Sequence, residues 1–423
     1  MLTIDQLRKD PTFAKERLAH KHFKELQFVD EIIVLDDQRK ASKSRLDDFL
    51  AQRNALSKEI GILMKEGKKE EAEAQKNKIA AIKEEADVLE AKVADTEAQI
   101  FERLVQLPNF PNSIVPKGKT PEENEIAFAV KEITELPETA LPHWDLAKKF
   151  DLIDFELGNK LTGAGFPVYK GKGAALQRAL ITFFLDKAIE AGYQEVQVPH
   201  MVNKDSAFAT GQLPDKECQM YHATMDDFYL IPTAEVPITN IYRDEIIDEK
   251  SLPIKNVGYT PCFRREAGSY GKDVRGLNRL HQFDKVEIVR IEKPEHSYTA
   301  LSEMLKHVEG LLQALELPYR ILRLCGGDMT FSSALTYDFE VFSAAQKRWL
   351  EVSSVSNFET FQANRLKLRI KDADNKKTLA HTLNGSALAL PRILASLLEN
   401  HQTENGIRIP KALVPYTRFE LIS

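Results

Sequence analysis

The densest group of side chains able to do chemistry lies in two segments, TPCFRRE at residues 260–266 and HQFDKVE at residues 281–287. Side chains two positions apart on a strand lie on the same face of the sheet. If the two segments pair and the second strand begins by residue 279, six functional side chains would lie on one face. The six are Arg264, Glu266, Arg279, His281, Phe283 and Glu287. Arginines bind phosphates, an aromatic ring stacks on a base, and carboxylates accept hydrogen bonds from NH groups. The group therefore predicts a site for a nucleotide and an amine, the alternative being a surface hairpin with ordinary ion pairs.

The elements that must position this group are strands of a sheet. Residues 257–266 and 281–291 are rich in Val, Ile, Phe and Tyr and flank a polar loop, which predicts a hairpin with a long connection. The other predicted elements are helices at 172–192, 295–317 and 388–399, the last of the chain, and strands at 195–199, 320–324, 337–342 and 349–354. They lack a regular βαβ alternation and indicate an α+β fold with a mainly antiparallel sheet flanked by helices. The sequence has neither a Rossmann nor a P-loop glycine pattern.

The first third of the chain has the spacing of a coiled coil. Mainly apolar residues recur at alternating steps of three and four from residue 32 to residue 63, and a second such register runs from residue 79 to residue 107. These steps average about 3.5 residues, the period of a left-handed coiled-coil seam. The segment KEGKK at 65–69 breaks the period and predicts the turn of an antiparallel helical hairpin. Prolines 108, 111 and 116 end the second helix, which predicts a helical arm at residues 1–110 and a second domain at residues 111–423.

Charge is distributed unevenly along this hairpin. Residues 39–83 hold 12 Lys and Arg against 7 Asp and Glu, an excess of five positive charges. The root is acidic, because residues 28–38 have four acids and no bases and residues 84–107 have seven acids and two bases. A hairpin that becomes basic toward its tip suits contact with a polyanion such as a nucleic acid. The alternative is a solvated helical pair with uneven surface charge.

Composition limits the classes of protein to consider. The 423 residues are 43% apolar and 29% charged with a net charge of −6, which excludes a chain that is disordered throughout or that binds nucleic acid through a global positive field. No run approaches the ~20 consecutive apolar residues of a spanning helix, and residues 1–10 lack the apolar centre of a signal peptide. Cys218, Cys262 and Cys325 are too widely spaced for a disulfide framework or a CxxC zinc pair. We therefore expect a cytoplasmic protein.

Several motifs resemble those of class II aminoacyl-tRNA synthetases. The segments similar to their motifs 1, 2 and 3 are residues 170–199, FRRE at 263–266 with RLHQFD at 279–284, and NGSALALPR at 384–392. Three longer segments resemble the bacterial-type seryl-tRNA synthetases in particular: PTAEVP at 232–237, TPCFRREAGS at 260–269 and EVSSVSN at 351–357. The resemblance covers nearly the whole chain, including the helical arm. It implies a class II catalytic domain on a mainly antiparallel sheet and an arm that binds tRNA.

The resemblance implies an ATP site. The residues that it assigns to ATP are Arg264, Arg265, Glu266, Arg279, Phe283, Glu351, Val352, Ser353, Ser354 and Arg392. Three arginines are the implied catalytic residues: Arg264 for the α-phosphate and the substrate carboxylate, Arg279 for the γ-phosphate of a bent ATP, and Arg392 for the phosphates from the opposite side. Glu266 resembles the acid that binds the adenine amino group, and Phe283 the ring that stacks on adenine. Glu351 and Ser354 resemble Mg²⁺ ligands, which requires a bulge or a strand end between them.

The same resemblance implies a serine site. Its residues are Thr233, Ala234, Glu235, Glu287 and Ser386. Glu287 would pair with the ammonium group or hydroxyl of serine, since an unpaired Glu on an apolar strand is costly. The alternatives are an ordinary acid paired with Lys285 for Glu287, a helix cap for Ser386 and a turn residue for Thr233. His281 is expected to be structural, because the reaction needs no imidazole base.

The family implies a two-step reaction. The carboxylate of L-serine attacks the α-phosphorus of ATP, with Mg²⁺ bound, and expels pyrophosphate. The 3′-terminal ribose hydroxyl of tRNA then attacks the seryl-adenylate, and AMP leaves. The implied partners are tRNA(Ser), tRNA(Sec) where present, and a second copy of the chain in a homodimer. One rival function is a paralogue that loads an amino acid onto a carrier protein, against which the intact arm and motif 3 argue. A non-catalytic RNA-binding protein with a decayed core is the other, and the retained arginines and acids argue against it.

Two positions depart from the family pattern. The segment TGAGF at 162–166 lacks the arginine often found in the family's Gly-Ser-Arg stretch. Leu335 stands where a lysine is common before TYD at 336–338. Neither position is among those assigned to ATP or serine, so both concern local loop contacts.

Overall fold

The chain forms two compact units, Met1–Phe110 and Pro111–Ser423. This computed structural model describes residues 1–130, 133, 135–267 and 275–423. Residues 268 and 269 of the TPCFRREAGS segment therefore lie outside the described residues. The first unit is helical, and the second combines a large, mainly antiparallel sheet with helices. The predicted α+β fold class is confirmed.

The secondary-structure elements of the described residues are numbered in chain order. The α-helices are α1 (Ile4–Lys9), α2 (Pro11–His20), α3 (Phe28–Lys65), α4 (Lys69–Leu104), α5 (His143–Lys149), α6 (Phe155–Leu161), α7 (Gly171–Glu190), α8 (Lys204–Thr210), α9 (Glu235–Asn240), α10 (Ser297–Ala314), α11 (Thr360–Leu366), α12 (Leu390–Asn400) and α13 (Val414–Thr417). The strands are β1 (Glu125–Ala129), β2 (Ile153–Asp154), β3 (Val168–Tyr169), β4 (Gln194–Glu195), β5 (Met201–Val202), β6 (His222–Ala223), β7 (Phe228–Leu230), β8 (Ile246–Asp248), β9 (Ile254–Phe263), β10 (Gln282–Glu292), β11 (Tyr319–Arg323), β12 (Leu335–Ser343), β13 (Arg348–Asn357), β14 (Arg369–Lys371), β15 (Lys377–Leu379), β16 (His381–Ala389), β17 (Gln402–Thr403), β18 (Gly406–Arg408) and β19 (Leu421–Ile422).

The first unit contains the predicted antiparallel hairpin. Near the root, the Arg103 side chain of α4 donates to Glu31 of α3 at 2.6 Å. Toward the tip, the Gln75 amide donates to Glu59 at 3.2 Å. The chain reverses between the helices at Gly67, whose φ of +76° is readily adopted by glycine. No described helix is long and apolar enough to span a membrane.

The seam between α3 and α4 follows the two predicted registers. The seam positions that are buried are Ile32, Ser42 and Leu63 of α3 and Ala86, Thr96 and Ile100 of α4. Arg39 interrupts the first register but remains in the seam, where it donates to Asp36 at 2.8 Å and lies 3.6 Å from Glu97 of α4. Its charge is therefore compensated within the hairpin.

Asp36 is a buried acid that the sequence pattern did not single out. Its side chain is only 1% exposed, and it accepts hydrogen bonds from Arg8, Arg39 and Lys40, each at 2.8 Å. Burial alone would raise the pKa of Asp36, but the hydrogen bonds from Lys40, Arg39 and Arg8 outweigh it and lower the pKa to about 2. The ionised carboxylate therefore ties α1 to the root of the hairpin.

We predict that Asp36→Asn weakens the root by about 2 kcal/mol at neutral pH, because the amide loses three charged partners. The folded pKa is depressed, so the stabilisation is fully present above the ordinary Asp pKa and is lost as pH falls through about 2. Hydrogen exchange of α1 and α3 amides in the full chain measures the effect at pH 7. Asp37→Asn is the matched control, since Asp37 is 60% exposed and pairs with Arg8 alone. Equal exchange in the two variants would contradict the prediction.

The second unit is built on an eight-stranded sheet in the order β1-β11-β12-β13-β16-β10-β9-β4. Neighbouring strands are antiparallel except β4, which pairs parallel to β9. β10 lies between β9 and β16, with Phe283 opposite Cys262 of β9 and Glu287 opposite Ser386 of β16. This register joins the two segments from which the site was predicted.

Successive side chains of β10 point alternately to the hydrophobic core and to the opposite face of the sheet. Val286 and Ile288 are fully buried in the main core together with residues of α7, α10 and α12. Phe283, Lys285 and Glu287 point to the other face and line a cavity. The core therefore fixes the strand from behind, and the cavity receives its polar side chains.

The predicted ends of the central hairpin are wrong, because β9 ends at Phe263 and β10 begins only at Gln282. Arg264, Glu266, Arg279 and His281 therefore lie beyond the strand ends, where strand alternation does not place them.

Two other predicted elements also differ from the structure. The strand expected at 195–199 is only β4, Gln194–Glu195, followed by one further hydrogen bond from Val196 N–H to the Val257 carbonyl at 2.8 Å. The segment then leaves the sheet before Pro199, which has no N–H to donate. The helix predicted at 388–399 begins at Leu390 and is not the last, because the short helix α13 and the sheet β17-β18-β19 follow it.

Candidate active site

The second unit contains a cavity of about 510 Å³ over the central strands. Thirteen of the fifteen predicted site residues line it: Thr233, Glu235, Arg264, Glu266, Arg279, Phe283, Glu287, Glu351, Val352, Ser353, Ser354, Ser386 and Arg392. The two others lie elsewhere. The Arg265 guanidinium packs 5.9 Å from the centre of the Tyr221 ring, and Ala234 is fully buried with Ile238 and Val289.

One end of the cavity brings an arginine onto an aromatic ring. Arg264 follows the last residue of β9, and its backbone N–H donates to the His281 carbonyl at 2.9 Å. Its guanidinium carbon lies 5.2 Å from the centre of the Phe283 ring, a cation–π contact, and its Nε donates to the Pro232 carbonyl at 3.3 Å. The backbone contact and the ring fix the direction of the guanidinium, which lines the cavity with its other nitrogens still able to donate.

The two other predicted arginines are each held by an acid. Arg279 Nε donates to the Glu266 carboxylate, and Arg279 is the more exposed of the pair. Arg392 lies at the start of α12, where its Nη1 donates to the Glu351 carbonyl at 2.7 Å and lies 3.7 Å from the Glu351 carboxylate. Both arginines line the cavity, so they can meet an extended polyanion bound there.

A compact polar group occupies the other end. The Lys285 ammonium lies 2.7 Å from the Glu287 carboxylate and also donates to the Thr233 hydroxyl at 2.7 Å. The hydroxyls of Thr233 and Ser386 both donate to the same Glu287 oxygen at 3.4 Å. The Lys285 and Glu287 side chains are only 7% and 3% exposed. Pairing with Lys285, the alternative considered for Glu287, is therefore present, and the pair itself lines the cavity.

Glu235 is a second acid at this end. Burial raises the pKa of Glu235, the nearby charge of Glu287 raises it further, and a hydrogen bond from Gln362 opposes both, so that the pKa is about 7. Gln362 Nε2 donates to Glu235 at 2.6 Å, while Gln362 Oε1 accepts from the Thr382 hydroxyl at 2.7 Å. The second bond fixes which end of the amide faces Glu235. Glu235 is thus poised between its neutral and ionised forms at neutral pH.

A bulge in β13 lets the side chains of Glu351 and Ser354 lie on the same side of the strand, as joint binding of one metal ion would require. Ser353 pairs with Phe339 and Glu351 with Glu340, so Val352 is an extra residue opposite none. The extra residue shifts the alternation by one, and both Glu351 and Ser354 line the cavity. Asp338 pairs with Ser354 across the strands, and burial, then the charge of Glu351, raise the pKa of Asp338 well above its ordinary value.

The oxygen ligands at the bulge fit a hard cation for which the protein supplies only some of the ligands. In the described residues no group of three or more His, Cys, Asp or Glu side chains could hold a metal ion by itself. Glu351 and Ser354 offer a carboxylate and a hydroxyl oxygen at the cavity wall, with acidic Asp338 and Glu340 opposite them. Mg²⁺ is typically held by one or two protein carboxylates together with phosphate oxygens and water. The residues present fit that ion.

Comparison with known proteins identifies the family. Residues 1–111 match the family model described as "Seryl-tRNA synthetase N-terminal domain", and residues 219–401 match "tRNA synthetase class II core domain (G, H, P, S and T)". The chain is 52% identical over 424 residues to the serine–tRNA ligase of Salinibacter ruber, covering 100% of this chain and 99% of that protein. The chain belongs to the seryl-tRNA synthetase family. The resemblance stated from the motifs is confirmed.

Other members of the seryl-tRNA synthetase family agree in sequence and structure. The serine–tRNA ligase of Methylacidiphilum infernorum is 45% identical, with 100% of both chains covered. The seryl-tRNA synthetase of Pyrococcus horikoshii complexed with ATP superposes with a TM-score of 0.93 at 34% identity, covering 100% of this chain and 99% of the other. The cytoplasmic serine–tRNA ligase of Naegleria fowleri in complex with AMP has a TM-score of 0.88 at 27% identity and the same coverage.

Sequence reasoning missed several residues of this seryl-tRNA synthetase site. Lys285, Asn278 and Asn384 line the cavity but were not proposed for it. The signal for Lys285 was present, since it alternates with Phe283 and Glu287, and Asn384 stands two residues before Ser386 on β16. Glu217 and Gln219 also line the cavity. They lie outside helices and strands, where no periodic pattern predicts which way a side chain points.

Proposed function

We propose that this seryl-tRNA synthetase family member activates L-serine with ATP to form seryl-adenylate and transfers the seryl group to the 3′ end of tRNA(Ser). Family membership supports the general part of this function, namely that the protein is an ATP-dependent aminoacyl-tRNA ligase. The observation that supports the finer statement is that Arg264, Phe283 and Glu287 line one cavity, which thus combines a guanidinium, an aromatic ring and a buried acid.

The ATP end neutralises charge and positions the nucleotide. Phosphate oxygens would replace Glu266 and Glu351 as partners of Arg279 and Arg392, while Arg264 holds the α-phosphate and the serine carboxylate together. The carboxylate is already ionised, so the attack on phosphorus needs orientation and charge stabilisation and no base. Glu351 and Ser354 would hold Mg²⁺, which supplies further positive charge to the phosphates. The Pyrococcus horikoshii relative complexed with ATP supports this use of the cavity.

The opposite end selects the amino acid. We assign the serine ammonium group to Glu235 and Glu287 and the serine hydroxyl to the hydroxyl-rich wall of Thr233 and Ser386. Glu287 already accepts from Lys285 and both hydroxyls, so its position is fixed before a substrate binds. A pocket that hydrogen-bonds a substrate hydroxyl rejects an analogue without one, because its buried polar groups would be left unpaired. Alanine should therefore be a very poor substrate.

The remaining steps and partners follow the family. The 3′-terminal hydroxyl of tRNA(Ser), or of tRNA(Sec) where present, would attack the adenylate, with the basic tip of the α3–α4 hairpin gripping tRNA phosphates. We propose a homodimer in which the arm serves tRNA bound across the two copies. Three free cysteines are consistent with the proposed cytoplasmic location.

The experiment that tests the proposal is ATP–pyrophosphate exchange without tRNA, run with serine, threonine and alanine in parallel. Serine-dependent exchange, followed by serine charging of tRNA(Ser), supports the ligase. Exchange without charging would indicate the paralogue that loads a carrier protein. Absence of exchange with all three amino acids would indicate the non-catalytic RNA-binding protein.

We predict that Glu287→Gln lowers kcat/KM for serine in the exchange assay on the order of 10–150-fold, because a hydrogen bond to a charged group contributes about 1.5–3 kcal/mol. The matched control is Glu292→Gln on the same strand. Glu292 is also buried, but its partner is Arg290 and it does not line the cavity. Unchanged serine kinetics in Glu287→Gln would remove Glu287 from the serine site.

We predict that kcat/KM for serine rises as pH increases through about 7, because Glu235 must be ionised to bind an ammonium group and the burial of Glu235 places its pKa there. This kinetic ratio reports groups of the free enzyme. Gln362→Met removes a hydrogen bond that favours ionised Glu235, so the midpoint should move to higher pH. Glu235→Gln should abolish the inflection. An inflection at the same pH in Glu235→Gln would show that another group titrates.

We predict that shortening the arm impairs charging and spares exchange. The contacts Glu31–Arg103 and Glu59–Gln75 put residue 50 opposite residue 84, so residues 51–83 can be replaced by a three-residue glycine turn without changing the register. This removes eight Lys and Arg against five Asp and Glu. We expect the tRNA KM to rise at least about tenfold, since each lost phosphate contact weakens binding, and exchange to stay within about twofold.

Charge substitutions at the tip test the contribution of its positive charge to tRNA binding without changing the length of the arm. Lys65→Glu with Lys69→Glu should raise the tRNA KM and reduce its salt dependence, whereas Glu70→Gln with Glu71→Gln serves as the control at the same tip. Equal tRNA affinity in the shortened and full-length chains would exclude the arm as the tRNA-binding element.

A further inference from the structure

A buried polar cluster lies behind residues 275–280, the segment that leads into β10. It consists of His143 at the start of α5, Glu399 near the end of α12, and Ser343 and Gln346 at and beyond the end of β12. None of these residues was predicted from the sequence motifs, and none lines the cavity. We propose that His143, held by Glu399, is a positioning residue that fixes the backbone before Arg279 and thereby sets where Arg279 and Arg392 meet the phosphates of ATP.

The hydrogen bonds determine the tautomer of His143. The Leu277 N–H donates to His143 Nε2 at 2.8 Å, so Nε2 is an acceptor and the proton is on Nδ1. Nδ1 donates to Glu399 Oε1 at 2.7 Å, and the His143 backbone N–H donates to the same oxygen at 3.0 Å. The imidazole thus links a carboxylate on one side to a backbone amide on the other.

Glu399 is fully satisfied although neither it nor His143 has any exposed side-chain surface. Gln346 Nε2 donates to Glu399 Oε1 at 3.0 Å, and the Ser343 hydroxyl donates to Oε2. Burial alone would raise the pKa of Glu399, but the hydrogen bonds from the His143 ring, the Ser343 hydroxyl and the His143 backbone N–H lower it below its ordinary value. A buried network whose members are all paired is rigid, and removal of one member leaves another unpaired.

The cluster reaches the cavity through Leu277 and Asn278. The Asn278 amide donates to Gln346 Oε1 at 3.1 Å, and the Asn278 carbonyl accepts from Arg392 Nε at 3.1 Å. Arg279 is the next residue and faces the cavity. One short stretch of backbone is therefore bonded to the cluster on one side and to a predicted phosphate-binding arginine on the other. Arg392 and Glu399 also share α12, seven residues apart, so the bonds to Glu399 restrict the rotation of that helix.

The close approach of His143 explains the glycine before Leu277. Gly276 has a φ of +67°, and a Cβ there would lie 2.2 Å from His143 Nε2. The Arg275 guanidinium also packs over the Trp144 ring at 4.6 Å, next to His143. Residues 275–278 are therefore shaped to rest on the start of α5, and the tie at Leu277 is two residues from Arg279.

The test is the ratio of ATP affinity to AMP affinity, measured by calorimetry on the full chain with Mg²⁺. It rests on the proposed function for the identity of the ligand, and serine-dependent exchange by the unsubstituted chain tests that function separately. Arg279 is assigned to the γ-phosphate, which AMP lacks, and Arg392 to the phosphates of ATP, of which AMP has only one. A purely structural role for His143 would lower the melting temperature without changing this ratio.

Two substitutions each keep one of the two hydrogen bonds made by the His143 ring. In His143→Asn the amide reaches the position of Nδ1 and can donate to Glu399, but nothing accepts from Leu277 N–H. In His143→Gln the amide reaches the position of Nε2 and can accept from Leu277. We expect the Kd for ATP to rise roughly 5–10-fold in His143→Asn, as for loss of one hydrogen bond, with the Kd for AMP within twofold, and His143→Gln to restore most of the loss.

The controls keep the proposal falsifiable if His143→Asn folds poorly. Gln346→Met removes the link to Asn278 from a partly exposed position and should shift the ATP to AMP ratio in the same direction. His401→Gln is the structural control, because His401 is also buried but bonds to the Leu315 carbonyl away from the cavity. An unchanged ratio in both His143→Asn and Gln346→Met, or an equal shift in His401→Gln, would overturn the proposal, whatever the exchange assay shows.

Discussion

The register of β10 between β9 and β16 is the constraint on which the site depends. Phe283, Lys285 and Glu287 face the cavity only because Val286 and Ile288 face the core. A slip by one residue would bury the charged pair among apolar side chains and expose the two aliphatic ones, which is costly in both directions. The hydrophobic core made with α7, α10 and α12 therefore determines the chemistry of the opposite face.

Six charged groups of the cavity are already paired within the chain. Lys285 meets Glu287, Arg279 meets Glu266, and Arg392 meets Glu351. The first pair is deeply buried and fixed by two hydroxyls, whereas the arginine pairs are partly exposed and can exchange one anionic partner for another. The proposed serine site is thus preorganised, and the proposed ATP site can adjust to its ligand. This difference matches the need for strict selection of a small substrate and for closure around a larger one.

Much of the fold and the site was accessible from local patterns. The heptad registers predicted α3 and α4, and the alternation in two apolar strands predicted β9 and β10 and the shared face of Phe283 and Glu287. Arg264 reaches the same cavity from the residue after β9, where alternation does not apply. Arg265 and Ala234 were carried along with their motifs, but neither lines the cavity, because neighbouring residues in a motif point in different directions. Asp36 and the His143–Glu399 contact were not predicted. Their roles depend on partners distant in sequence, and a single sequence contains no periodic signal for such pairs.

The bulge at Val352 makes the proposed Mg²⁺-binding wall sensitive to the length of the chain as well as to its side chains. Loss of one residue there would restore simple alternation along β13, so that Glu351 and Ser354 could no longer occupy one wall. The Glu351 carbonyl, which accepts from Arg392, would turn with it. Every side chain in the vicinity could be retained, and the two parts of the proposed phosphate site would still separate. Natural variation in this stretch should consequently take the form of substitutions, with insertions and deletions confined to the turns beyond it.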